Sequence, residues 1–164
     1  MMKAYGSFLL ALMLSAAAAL HAELPSKKVL TLGMAKKLVA AAEAEAKKRG
    51  ATVVIAVVDD GGQLILLERL DDTQVASVEV AIGKARTAAI FRRPSRVFED
   101  QIKNGRVAAL ALPGATPLQG GIPITVDGKV IGAIGASGNS PQEDEGIALA
   151  GAAVTATAAQ EEGR

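Results

Sequence analysis

The sequence predicts a mixed α/β domain, on three observations. Stretches of helical period alternate with short β-branched runs. Two pairs of those runs are joined by turn sequences, Asp59-Asp60-Gly61-Gly62 and Asp127-Gly128, that fold a strand back on its neighbour. Half of the 164 residues are hydrophobic and 21% are charged, which is enough apolar material for one core and far from the composition of a disordered chain. No linker and no internal repeat interrupts the alternation, so residues 23–164 read as one domain.

Residues 1–22 read as a leader. Lys3 is the single charge ahead of thirteen apolar or small residues, Phe8 to Leu20, and Leu20-His21-Ala22 offers a small residue at a cleavage position. This is the layout of a secretory signal peptide. Thirteen helical residues reach roughly 20 Å, short of the ~30 Å hydrocarbon core, so a membrane span is disfavoured. The expected location is periplasmic or secreted. The chain has no cysteine, so after export it gains no disulfide stability and must rely on its core or on oligomerisation.

The elements follow in order. Thr31 is placed as an N-cap, and Leu32, Ala35, Leu38, Val39, Ala42 and Ala46 keep helical spacing until Arg49-Gly50 closes the helix. Val53 to Val58 and Leu64 to Glu68 form a β-hairpin across the first turn. From Val75 to Phe91 a second helix is expected to turn Val75, Val78, Ile82, Ala85 and Ala89 to the core, since they fall within about an 80° arc. Pro94-Ser95 breaks the chain, and a short helix runs through Ile102 to a stop at Asn104-Gly105. Val107 to Leu112 suits either strand or helix, and Pro113 to Gly121 is a loop. Ile122 to Val126 and Lys129 to Ala136 make the second hairpin. Ser140-Pro141-Gln142-Glu143 is a helix start with a capping box. The last helix, to about Gln160, carries small residues on almost every face. Such a helix is normally covered all round, which predicts a homo-oligomer.

Composition excludes several chemistries. A net charge of +1, without a basic stripe, is not the footprint of a nucleic-acid binder. Beyond residue 22 there is no His, Cys, Trp or Tyr, because His21 and Tyr5 both lie in the leader. A serine–histidine triad, a histidine zinc site and a histidine general base are therefore excluded from the mature chain, and any catalysis would rest on carboxylates, lysines, hydroxyls or backbone amides.

The acidic group Glu143, Asp144 and Glu145 is explained by capping and by the helix dipole. Asp59 and Asp60 are explained by turn chemistry. Gly132, Gly135 and Gly138 lack the G-x-G-x-x-G spacing of a dinucleotide site and read instead as points of close backbone or ligand approach. Gly120-Gly121 permits either a tight turn or a close ligand.

Four blocks in order, VVDDGGQLILLERLDD (Val57 to Asp72), AIGKARTAAIF (Ala81 to Phe91), GGIPITVDGKVIGAIGASG (Gly120 to Gly138) and EDEGIALAGAA (Glu143 to Ala153), resemble the GlcG/HbpS family. The resemblance implies a profilin-like three-layer α/β/α sandwich with a five-stranded antiparallel sheet, often in a higher oligomer. It also implies a function, since exported members bind haem in sequestration or sensing. Others are encoded with glycolate-type catabolic enzymes, which leaves a binding protein or isomerase for small hydroxy- or keto-acids as the alternative, with Lys84, Arg86 or glycine-loop amides as its anion site.

The candidate haem residues are Thr87, Lys84, Val80, Met34, Arg92 and Arg93. Some relatives ligate iron through histidine, which the mature chain lacks, and a second mode uses a threonine, for which Thr87 looks like the matching position. By helical spacing Thr87, Val80, Lys84 and Ser77 share a face opposite the expected core face. Against this stands a threonine bonded back to its own helix, with Lys84 in solvent. Met34 is the other soft neutral ligand after the leader, and equally a core filler. Arg92 and Arg93 suit haem propionates, or simply a helix C-terminus.

Overall fold

The computed structural model describes residues 25–162, and the leader expectation for residues 1–22 lies outside them. Helix α1 (Leu32–Arg49) is held at its start by the Thr31 hydroxyl, which accepts the Met34 N–H, and at its end by Gly50, whose φ of 64° suits glycine. The hairpin β1 (Val54–Asp59) and β2 (Leu64–Arg69) follows, then α2 (Ser77–Ile90), the short α3 (Arg96–Lys103), a 3-10 turn (Val107–Ala111), the hairpin β3 (Gly121–Val126) and β4 (Lys129–Ser137), and α4 (Pro141–Glu162). Glu143 and Ser140 bond reciprocally at the start of α4, as the capping box requires.

The strands form one antiparallel sheet in the order β2-β1-β4-β3. Ile55, Val57, Ile124 and Ile134 on one face bury against Leu38, Val39 and Ala42 of α1 and Ile147 and Ala148 of α4. Val54, Ala56, Val58 and Ala133 on the other face bury against Ala81, Ala85, Ala88 and Ala89 of α2. Three layers result, with the five apolar residues of β1 fully buried between them.

Two expectations are corrected. The sheet has four strands among the described residues, not five. Residues 107–112, which suited strand or helix, resolve to the helical side as a 3-10 turn: three of the five residues in Val107–Ala111 are alanine, a poor strand former, and Pro113-Gly114 closes the segment.

The second correction concerns the face of α2. Ala85 and Ala89 are buried as expected and Val78 and Ile82 pack half-buried beside them, but Val75 precedes the helix and is 74% exposed, and the buried side also takes in Ser77, Ala81, Lys84 and Ala88. The cause is glycine on the facing strands. A Cβ at Gly135 would stand 2.7 Å from the Ala85 nitrogen, and one at Gly121 would overlap the Lys84 carbonyl. The helix backbone lies almost on the sheet, which only its small-residue side permits.

Candidate functional site

This close seating of α2 buries Thr87 completely. Its hydroxyl donates to the Gly83 carbonyl at 2.8 Å and accepts the Thr116 N–H at 2.7 Å, so it ties the loop after the 3-10 turn to the helix. The loop is fastened again further on: the Leu118 carbonyl accepts from the Ser95 hydroxyl, which in turn accepts the Gly121 N–H at 2.8 Å. Val107 and Leu110, each 65% exposed, and Leu118 lie along this same stretch of chain. Val80, half-buried, stands one turn before Lys84 on α2.

Lys84 points away from solvent. Its ammonium donates to Asp144 Oδ2 at 2.8 Å and to the Ala136 carbonyl at 3.0 Å. The other oxygen of Asp144 accepts the Asn139 N–H at 3.0 Å. Gly120, at φ 126°, makes room for this ion pair, since a Cβ there would come within 3.0 Å of the Lys84 ammonium. Gln119 bridges two further carboxylates, its backbone N–H to Glu99 and its side-chain amide to Glu145, and Arg96 lies 3.5 Å from Glu145. Burial pushes the Glu99 carboxyl up, but the Lys103 hydrogen bond, the Gln119 N–H and the charges of Lys103 and Lys84 outweigh it and hold Glu99 below the ordinary range.

A separate cleft of about 700 Å³ opens beside the β3–β4 turn, lined among others by Lys27, Lys28, Asp60, Arg92, Asp127 and Lys129. Lys27 pairs with Asp60 at 2.6 Å and Lys28 with Asp127 at 2.9 Å. The hydrogen bond from Lys27 holds the Asp60 carboxyl below its ordinary value, with a smaller pull from the Arg92 charge.

Comparison with known proteins places this geometry. The family described as "Haem degrading protein HbpS-like" matches residues 30–153, the whole of the sandwich up to the middle of α4. The chain belongs to the HbpS-like family. Protein GlcG of Escherichia coli K12 is 44% identical over 112 residues, which cover 68% of this chain and 84% of that protein. A double mutant of Streptomyces reticuli HbpS shares the fold with a TM-score of 0.74 at 35% identity, over 83% of this chain and 93% of that one. PduOC, solved as a complex with haem, aligns with a TM-score of 0.70 at 27% identity, over 77% of this chain and 94% of that one.

In this HbpS-like chain the six residues singled out from sequence do not line one pocket. Thr87, Lys84 and Val80 share α2, but Thr87 is bonded to the loop at Thr116 and Lys84 to β4 and α4. Met34 packs against the core on the far side of the sheet. Arg92 lines the cleft, whereas Arg93 lies 5.9 Å over the Phe98 ring and donates to the Phe91 carbonyl. Sequence reasoning missed Asp144 as the partner of Lys84 and Gln119 as the bridge between Glu99 and Glu145. A carboxylate 60 positions from its lysine leaves no local signal.

Proposed function

We propose that this protein is an exported haem-binding protein that sequesters or senses the tetrapyrrole rather than turning it over. The observation that carries the reading is the exposed apolar segment with Val107, Leu110 and Leu118, fastened directly to Thr87 through Thr116. Large apolar side chains left in water beside a helix offer a surface for a flat apolar ring. Membership in a family described by haem degradation, and likeness to a protein solved with haem, support the same ligand.

The residues present fit a tetrapyrrole held by burial of its ring, with half-buried Val80 and the exposed apolar segment as the apolar surface. They do not fit one held by a strong axial ligand. The Thr87 hydroxyl is already committed to Gly83 and Thr116, and Met34 is across the sheet. Affinity therefore rests on apolar area, at ~25 cal/mol per Å² before association costs are subtracted. Bound haem would supply its own iron chemistry, and this chain's contribution is to hold and shield it. The small-acid alternative draws less support, because the charge of Lys84 is met by Asp144 and the Arg86 Nε–H is given to the Gly62 carbonyl at 3.1 Å.

Haem titration followed in the visible range tests the reading. The wild type is expected to develop a Soret band. Val80→Asp is expected to abolish it by setting a carboxylate against the ring. Thr87→Ala, which unties the segment at Thr116, is expected to weaken haem binding while leaving the visible bands in place. No Soret band with the wild type overturns haem as the ligand, unchanged binding by Val80→Asp moves the ring elsewhere, and unchanged haem affinity in Thr87→Ala removes the Thr116 segment from the haem surface.

A further inference from the structure

The cleft beside the β3–β4 turn stands apart from the proposed haem surface: neither Thr87, nor Val80, nor any residue of the 107–118 segment lines it. Its volume of about 700 Å³ lies within the range of small-molecule sites. Four of its lining residues are cationic and two are carboxylates. Both carboxylates are taken, Asp60 by Lys27 and Asp127 by Lys28. Among the described residues no carboxylate lies within ion-pair distance of Arg92 or Lys129, and the one that Arg92 acts on at longer range, Asp60, is already held by Lys27.

The backbone at Arg92 adds to this. Its φ of 55° follows the end of α2, in the left-handed position where helices favour glycine. An L-residue is disfavoured there, yet the residue present is an arginine that lines the cleft. Val126, Val130 and the largely buried Ile131 give another part of the wall an apolar character. A guanidinium fork suits a carboxylate, a lysine ammonium serves as a second point charge, and the apolar wall suits a short carbon body between two anionic ends.

We propose that this cleft binds a small dicarboxylate, with one carboxylate on Arg92, the other on Lys129, and the carbon chain along Val126, Val130 and Ile131. The site is independent of haem. Its residues Ser26, Lys27 and Lys28 lie in the extended strap just before α1, so the start of the domain forms one wall.

Isothermal titration of the full chain with succinate, acetate and inorganic phosphate, at low and at physiological salt, tests the proposal. Succinate is expected to bind at least tenfold more tightly than acetate or phosphate, and to weaken with salt as interactions between exposed charges do. Arg92→Gly relieves the backbone strain, so it is expected to keep or raise the melting temperature while weakening succinate at least tenfold. Lys129→Ala is expected to weaken succinate similarly, and Thr87→Ala to leave it unchanged. Succinate no tighter than acetate overturns the site, and phosphate as tight as succinate overturns the dicarboxylate assignment. Succinate binding by Arg92→Gly equal to the wild type, with its melting temperature retained, removes Arg92 from the site.

Discussion

At the scale of single residues the most consequential side chain is Lys84, a cation expected at an open surface that instead lies 4% exposed against Asp144. Taking both charges out of water is costly, and the pair is held because each partner has a further bond, Lys84 to the Ala136 carbonyl and Asp144 to the Asn139 N–H. The pair thus joins α2 to the end of β4 and the start of α4. Lys84→Met should destabilise the fold by about 3–5 kcal/mol, because it strands a buried carboxylate. The double variant Lys84→Met/Asp144→Asn keeps an acceptor for Asn139 and should lose less than Lys84→Met alone. Urea unfolding of the wild type, Lys84→Met, Asp144→Asn and the double variant measures the coupling, and a double variant as unstable as the sum of the two single ones would show that the pair does not act as a unit. The sequence identified Lys84 as a residue to watch but not its partner. The capping reading of 143–145 holds for Glu143, whereas Asp144 and Glu145 turn inward to Lys84 and Gln119.

At the scale of elements, legibility followed the size of the buried side chains. Helix α1 buries a row of ordinary apolar residues between clear caps, and both its span and its core face were readable. Both hairpins were readable from their turns. The span of α2 was readable, but its core face only in part: Ala85 and Ala89 face inward as expected, whereas Val75 does not. Periodicity arguments send the largest apolar residues inward, and here the inner side is alanine and serine because glycines on β3 and β4 let the helix backbone approach. The Gly132, Gly135 and Gly138 pattern did announce close approach, though not by which element. Gly135→Ala is therefore expected to destabilise by about 1–3 kcal/mol or more, since the new methyl would meet backbone atoms of α2 that cannot move aside cheaply. Gly33→Ala in α1, whose nearest neighbour to a new Cβ is 3.8 Å away, should be neutral or stabilising. Thermal melts of the two variants make the comparison, and equal melting temperatures would contradict the close-approach account.

At the scale of the whole molecule, the sandwich leaves α4 only partly covered. Ala148 and Gly151 pack inward, the latter so closely that a Cβ would come within 2.9 Å of the Leu38 carbonyl of α1. The outer side of the same helix presents Leu149, 50% exposed, and an exposed Ala153. Small side chains on an outer face allow a second helix to approach closely, and a central leucine adds apolar area to any such contact. A chain of this size without disulfides gains more from such a contact than a larger one would, because it buries a smaller share of its own surface. The expected state is a homo-oligomer with the outer face of α4 inside the interface. Light scattering of residues 23–164 at micromolar concentration should return a multiple of the chain mass. Leu149→Glu should lower that mass without changing the far-ultraviolet circular dichroism, since the residue makes no part of the buried core. A monomer mass for the wild type refutes the assembly, and an unchanged mass for Leu149→Glu places the interface on another face.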